Sequence, residues 1–163
     1  MKTLMLIRHA KSSWNDFSIQ DFDRPLNDRG KRDAPMMAQR IREKGLKPDA
    51  LLASPAKRAR KTAEIFAEEL DYPRTKIDWI QELYLATPSV FSQVISRVND
   101  EHDFVAVFSH NNGLTDFANQ LTNIRIDNIP TCGIFAVKIP ITRWSQFPEA
   151  EKEFWFFDYP KNR

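Results

Sequence analysis

The sequence predicts an α/β protein, a three-layer α/β/α sandwich around a mostly parallel central sheet, and three observations carry that expectation. Short apolar runs alternate with longer amphipathic segments, the pattern of strands joined by crossover helices. Two of those runs, Leu4–Ile7 and Phe104–Phe108, are apolar without alternation, as strands covered on both faces are. No repeat, low-complexity tract or flexible linker divides the 163 residues, a length that suits one domain spanning 1–163.

Thr3 to Ile7 is the first strand. Lys11 to Pro25 is polar apart from Trp14, Phe17 and Phe22 and reads as a long loop over that strand's carboxyl end, with its aromatics expected to anchor it. Asn27 or Asp28 caps a helix running to about Glu43, in which Pro35 marks a kink or a later start. Gly45-Leu46-Lys47-Pro48-Asp49 ends it before a brief strand, Ala50 to Ala53. Ser54 then serves as a helix cap, with Pro55 in the first helical position. Ala59, Ala63, Phe66 and Leu70 recur at helical spacing and form the sheet-facing stripe of that helix. Lys76 to Ile80 gives a third strand, and Pro88 opens a helix with Phe91, Val94, Ile95 and Val98 on its apolar side. After the buried strand Phe104 to Phe108 come a short helix, Gly113 to Leu121, and two late strands, Gly133 to Ile139 and Phe154 to Phe157.

Composition narrows the class of partner. With 42% hydrophobic and 28% charged residues the chain reads as a soluble globular domain. A net charge of +2, with Asp16, Asp21 and Asp23 interleaved on the approach to Arg24, argues against a nucleic-acid partner. The single cysteine, Cys132, cannot form an intrachain disulfide and is read as a small buried side chain in a reducing compartment. Met1-Lys2 leads directly into a strand pattern and no segment approaches membrane-spanning length, so no membrane partner is expected and the expected location is the cytoplasm. Nothing in the sequence sets an oligomeric state.

Function concentrates at two strand ends. Arg8-His9 closes the first apolar run and His110 follows the run from Phe104, and open α/β sheets bind ligands at the carboxyl ends of their strands. Neutral imidazole attacks phosphorus while nearby cations stabilise charge on the phosphoryl oxygens, so two strand-end histidines with arginines point to phosphoryl transfer. Arg58, near the start of the second helix with Thr62 four residues on, offers planar donors to two phosphate oxygens at once. Lys57, Arg60 and Lys61 read as a solvated face. Arg24 either approaches phosphate from the loop above or pairs with Asp21 or Asp23. Glu82 is a candidate acid that protonates a leaving group and then activates water, with Asp21 or Asp23 as the alternative. The histidine spacing contains no compact two-His-plus-carboxylate signature, so neither a metal nor another cofactor is expected.

Taken together these segments resemble the histidine phosphatase superfamily, the phosphoglycerate-mutase-like fold, and within it the small SixA-type phosphohistidine phosphatases. The resemblance spans essentially the whole chain. Arg8-His9-Ala10 is similar to the family's Arg-His-Gly opening, which implies His9 as the phosphate-accepting nucleophile and Arg8 as a phosphate ligand. Ser54-Pro55-Ala56-Lys57-Arg58-Ala59 resembles its Ser-Pro-x-x-Arg-Ala helix start and implies Arg58 as the second phosphate arginine. Ser109-His110-Asn111 resembles its Gly-His-Asn segment and implies His110 as the second catalytic histidine. Arg24-Pro25-Leu26 is similar to the Arg-Pro-Leu element of the small branch, and Asn15 to a phosphate-pocket asparagine of the mutase branch. Glu82 lies near the mutase acid position, and a late antiparallel strand is implied for the sheet. Ala10 stands where the family has glycine, and Asn112 where the small branch often has proline.

The resemblance therefore implies a metal-independent phosphatase acting through phosphohistidine on His9. Its substrate would be phosphohistidine on a protein or an exposed small phosphoester, and phosphate its product. A catalytically silent phosphate or phosphoprotein-binding module, motivated by Ala10, is the alternative from another class. A phosphoglycerate mutase is the alternative within the fold.

Overall fold

Successive side chains of a strand face opposite sides of its sheet, and in β1 (Lys2–Arg8) both sides are apolar. Leu4 and Leu6 enter one buried cluster and Met5 and Ile7 the other, and β4 (Phe104–Ser109) repeats the division with Val105 and Val107 against Ala106 and Phe108. In the computed structural model, which describes residues 1–162, these strands are the centre of a six-stranded sheet ordered β3-β2-β4-β1-β5-β6. The others are β2 (Ala50–Ala53), β3 (Asp78–Trp79), β5 (Ile134–Ile139) and β6 (Glu153–Asp158). β1 to β4 run parallel, whereas β5 pairs antiparallel with both β1 and β6.

Helices cover both faces. α1 (Asp28–Glu43) and α2 (Lys57–Glu69) pack Ala34, Met37, Ala38, Ile41, Ala63 and Phe66 on one. α3 (Pro88–Ser96) and α4 (Gly113–Leu121), with Trp144 and Phe147 from a late 3₁₀ turn, bury the other. Asn27 caps α1 by accepting the Gly30 N–H at 2.9 Å, and the helix runs unbroken through Pro35 to Glu43.

Three local expectations are corrected. α2 starts at Lys57, with Ala56 at its N-cap and no side-chain cap, because the Ser54 hydroxyl is turned to other partners. The third strand shrinks to Asp78–Trp79, since Arg74–Lys76 closes into a 3₁₀ turn. The loop aromatics do not all anchor it. Phe22 packs edge-on against Tyr84 at 5.1 Å, but Trp14 lies over Arg24 with an exposed face and Phe17 is 92% exposed.

The register of the three central parallel strands places the site. Arg8 pairs with Ser109 and Ala53 with Phe108, so His9 and His110 leave neighbouring strands at one level and Ser54 leaves the next strand one residue below it. Beyond His110, the first turn of α4 lies against the backbone of Ala86, and a Cβ on Gly113 would fall 1.8 Å from the Ala86 carbonyl oxygen. Neither backbone can yield without moving the other. Gly113→Ala is therefore expected to destabilise the protein by about 1–3 kcal/mol, seen as a lower midpoint in urea with an unchanged m-value. An unchanged midpoint would show that the two segments are not held together.

Candidate active site

At the carboxyl edge of β1 and β4 the rings of His9 and His110 face each other, with centroids 5.2 Å apart. The gap is close to the ~4.8 Å between adjacent strands. His9 Nδ1 lies 2.7 Å from the Ala10 carbonyl oxygen, which can only accept, so the proton is on Nδ1 and Nε2 presents its lone pair. Arg58 Nε–H points at that lone pair from 3.3 Å. Ala10 is itself fixed by donating its N–H to Thr62 Oγ1, and Thr62 returns its hydroxyl proton to the Arg58 carbonyl. The left-handed residues other than glycine, among the described residues, are Asp71, Leu85 and Cys132. Ala10 is not one of them, and its Cβ is accommodated in the core.

Three arginines surround the histidines. Arg8 sends Nη1 to the Ile129 carbonyl at 2.9 Å. Its own carbonyl and that of His9 both accept the Cys132 N–H, at 3.1 and 3.0 Å. That bifurcated bond is made by Cys132 at a φ of 62°, a strained conformation costing roughly 1–3 kcal/mol. Arg58 is buried and gives Nη1 to the Asp21 carbonyl at 2.6 Å and Nη2 to its carboxylate at 3.0 Å. Arg24 is buried too, bonding Ser12 Oγ at 2.7 Å and pairing with Asp21 Oδ1 at 3.2 Å. Its guanidinium stacks on Trp14, with Cζ 3.4 Å from the ring centroid. Of the two sequence readings of Arg24, the pair with Asp21 is the one seen, made by a guanidinium buried beside the site.

Burial and like charge set the protonation states. Burial first, then the charges of His110, Arg58 and Arg8, push His9 well below 6.5 against the opposing bond to Ala10. Burial, followed by Arg58, takes His110 down to about 3. Both imidazoles are neutral at physiological pH. Burial alone would raise the Asp21 carboxyl, but hydrogen bonds from Tyr84 and Arg58 and the Arg58 charge outweigh it and hold Asp21 at about 2. Burial, with a lesser push from Asp33, drives the Cys132 thiol up, so it stays protonated and does not compete as a nucleophile.

Arg8, His9, Arg58, His110 and Arg24 are brought together; the other two sequence candidates are not. Glu82 is turned away, its carboxylate 2.8 Å from Arg97 in a cleft lined also by Trp79 and His102. Asn15 is exposed in the loop, its backbone N–H on Ser13 Oγ. Where Glu82 was expected, the chain instead brings Tyr84, whose hydroxyl bonds Asp21 Oδ2 at 2.5 Å and whose ring stands edge-on to His110 at 5.4 Å. Nothing local in Glu82-Leu83-Tyr84 marked Tyr84, because both of its partners are distant in sequence. Among the described residues, the buried side-chain polar atoms without a hydrogen-bond partner are Arg8 Nε and His110 Nδ1. Both belong to this cluster.

The sheet edge thus carries two buried histidines among the buried Arg24 and Arg58 and the partly buried Arg8. The sequence model of the histidine phosphatase superfamily (branch 1) matches residues 4–89, and the chain belongs to that superfamily. An uncharacterized protein of Mycobacterium tuberculosis is 33% identical over 143 residues, covering 82% of this chain and 87% of its own. Among solved structures, the phosphohistidine phosphatase SixA of Agrobacterium tumefaciens, described as putative, superposes with a TM-score of 0.81 over 98% of both chains at 23% identity. A protein histidine phosphatase SixA complexed with tungstate does so with a TM-score of 0.83, also over 98% of both, at 21% identity. The mixed sheet and its covering helices are thus the phosphoglycerate-mutase-like fold.

The histidine environment has a consequence for stability. Because both folded-state values lie below 6.5, the unfolded chain takes up protons that the folded chain refuses as the pH falls from 6.5 towards about 3. Stability is then fullest above that range and declines through it, by up to about 1.4 kcal/mol per pH unit for each histidine. Urea midpoints measured at about pH 5 and about pH 7 should be clearly lower at the acid value. A flat profile would mean that the two rings are not held neutral.

Proposed function

We propose that this protein is a phosphatase that hydrolyses phosphohistidine on a protein, or an exposed phosphomonoester, through a covalent intermediate on His9. The observation that carries this reading is the pair of unpartnered buried nitrogens, Arg8 Nε and His110 Nδ1, beside a histidine whose Nε2 lone pair is presented by a locked tautomer. Leaving such groups unpaired costs roughly 1–3 kcal/mol each, a cost that phosphoryl oxygens would relieve. The tungstate complex of a fold-mate supports the same reading, since tungstate is a tetrahedral oxyanion.

In the proposed reaction the His9 Nε2 lone pair forms a bond to phosphorus as the bond to the leaving nitrogen or oxygen breaks with its electron pair. A phosphohistidine leaving group arrives already protonated on its ring, so it departs as neutral imidazole and needs no strong acid. The phosphorylated His9 is cationic, and its Nδ1–H remains bonded to the Ala10 carbonyl, which stabilises that charge. Arg8, Arg58 and the His110 N–H offset the charge on the equatorial oxygens. Water then attacks phosphorus, the Nε2–P bond breaks, and phosphate leaves with His9 neutral again. The arginines supply the positive charge that this chemistry needs. Ala10, which motivated a silent binding module, keeps its backbone bonds on both sides and so supports an intact nucleophile loop.

The test is phosphate release from a phosphohistidine peptide and from an aryl phosphate, with chelator present. Wild-type turnover should persist in chelator and vanish in His9→Ala, and acid-labile phosphate should be trapped on His9 in the wild type. Arg58→Ala is expected to lower kcat/KM by about 10²–10³-fold. Tight phosphate binding without release from either substrate would mean a binding module instead. Glu82→Gln should leave turnover within about twofold, as for a surface substitution; a large loss would restore Glu82 as the acid.

A further inference from the structure

Ser54 has no part in the reaction as described above, yet hydrogen-bond accounting around it decides which way His110 is protonated. The residue is fully buried at the end of β2, its N–H bonded to the Phe108 carbonyl at 2.9 Å. Its hydroxyl oxygen accepts the Ala56 N–H at 3.2 Å and lies 2.8 Å from His110 Nε2. A hydroxyl has one proton to give and two lone pairs to receive with. Among the described residues, His110 Nε2 is the acceptor that this proton reaches. With Nε2 protonated instead, Ser54 Oγ would accept twice, and its own proton would be buried without a partner beside a bare Nδ1 lone pair. That arrangement strands two buried polar groups where the other strands one, and stranded groups are what folded proteins avoid.

We propose that Ser54 is a positioning residue: its hydroxyl donates to His110 Nε2, holds His110 as the Nδ1–H tautomer, and thereby aims a neutral N–H donor at the phosphoryl group exchanged with His9. What that N–H meets rests on the phosphatase reading; the tautomer does not. The two histidines then play opposite parts for one reason. The Ala10 carbonyl can only accept, so His9 turns a lone pair to the reaction. Ser54 donates, so His110 turns a proton to it. In the other tautomer His110 would face negative phosphoryl oxygens with a lone pair, and a stabilising contact would become a repulsive one.

The experiment is a two-bond ¹H–¹⁵N correlation spectrum of the imidazole rings in the full-length protein near neutral pH. The chain has only three histidines, so His102→Gln and His9→Gln assign the signals. Wild-type His110 should show a protonated Nδ1 and a bare Nε2. Ser54→Ala should shift His110 to a mixture or to the Nε2–H form, and Ser54→Thr, which keeps the hydroxyl, should restore the wild-type pattern. With an aryl phosphate, kcat/KM should fall about tenfold in Ser54→Ala, the kinetic worth of one hydrogen bond, and recover in Ser54→Thr. An Nε2–H tautomer in the wild type, or an unchanged tautomer in folded Ser54→Ala, overturns the proposal. If Ser54→Ala does not fold, the wild-type and Ser54→Thr spectra decide alone. An Nδ1–H tautomer in a protein that releases no phosphate upholds the role of Ser54 and overturns the phosphatase reading; turnover with the Nε2–H tautomer does the reverse.

Discussion

The His9 N–H donates to the Ser109 carbonyl and the Ser54 N–H to the Phe108 carbonyl, and these ladder bonds across three parallel strands fix His9, Ser54 and His110 against one another. A slip of one residue would turn each strand's side chains to the opposite face. Alternation of apolar with polar residues cannot prevent that slip here, because both faces of β1 and β4 are apolar. Volume does so instead. Towards α1 and α2 the sheet presents Ala53, Ala106 and Ala136 among Met5, Ile7, Leu51, Phe108 and Ile134. Towards α3 and α4 it presents Leu4, Leu6, Val105, Val107, Phe135 and Val137. A slip would exchange side chains of different size, such as Val107 and Phe108 on β4, overfilling some positions and leaving cavities at others, each costly. The register that brings His9, Ser54 and His110 together is therefore set in the core.

The same core sets the charge states. Histidine at an open sheet edge would titrate near neutrality, but here burial and the surrounding guanidinium groups both oppose a further positive charge. A net charge of +2 over the whole chain conceals this local excess. Asp21 keeps the excess tolerable. Its carboxylate lies between Arg24 and Arg58, half in solvent, and accepts the Tyr84 hydroxyl as well. Charge balance comes from the loop, whereas the geometry of the histidines comes from the sheet.

That division explains what could be read without coordinates. Arg8, His9 and His110 were legible because each ends or follows an apolar run, and strand ends of an open α/β sheet converge on one edge. Arg58 and Thr62 were legible because four residues on a helix return to the same side. Tyr84 was not, since its significance lies in Asp21, 63 positions away, and in the ring of His110. Ser54 was read as a helix cap because a serine before proline usually is one; its actual partners are Ala56 and, 56 positions on, His110. Glu82 drew attention as a carboxylate after a strand, but that strand is two residues long and the turn behind it aims the side chain at Arg97. Local signals found the elements and their ends, and the misreadings fall where a side chain chose between a near partner and a distant one.

Arg58 shows how one residue can serve both the resting and the reacting site. Its Nε–H rests on the His9 lone pair at 3.3 Å, a long bond and, among the described residues, the one that each of these two nitrogens makes. Its two other nitrogens are engaged by the backbone and the carboxylate of Asp21, so the guanidinium plane is held from the loop side. In the proposed reaction an oxyanion entering between Arg58 and His9 would compete for the Nε–H with a neutral nitrogen and win, because it brings an opposite charge to a donor that is already ionised. Accepting that hydrogen bond would also uncover the His9 lone pair. On the proposed mechanism the anion that needs the nucleophile would then be the group that releases it, and Arg58 would not have to move, because Asp21 keeps its plane in place.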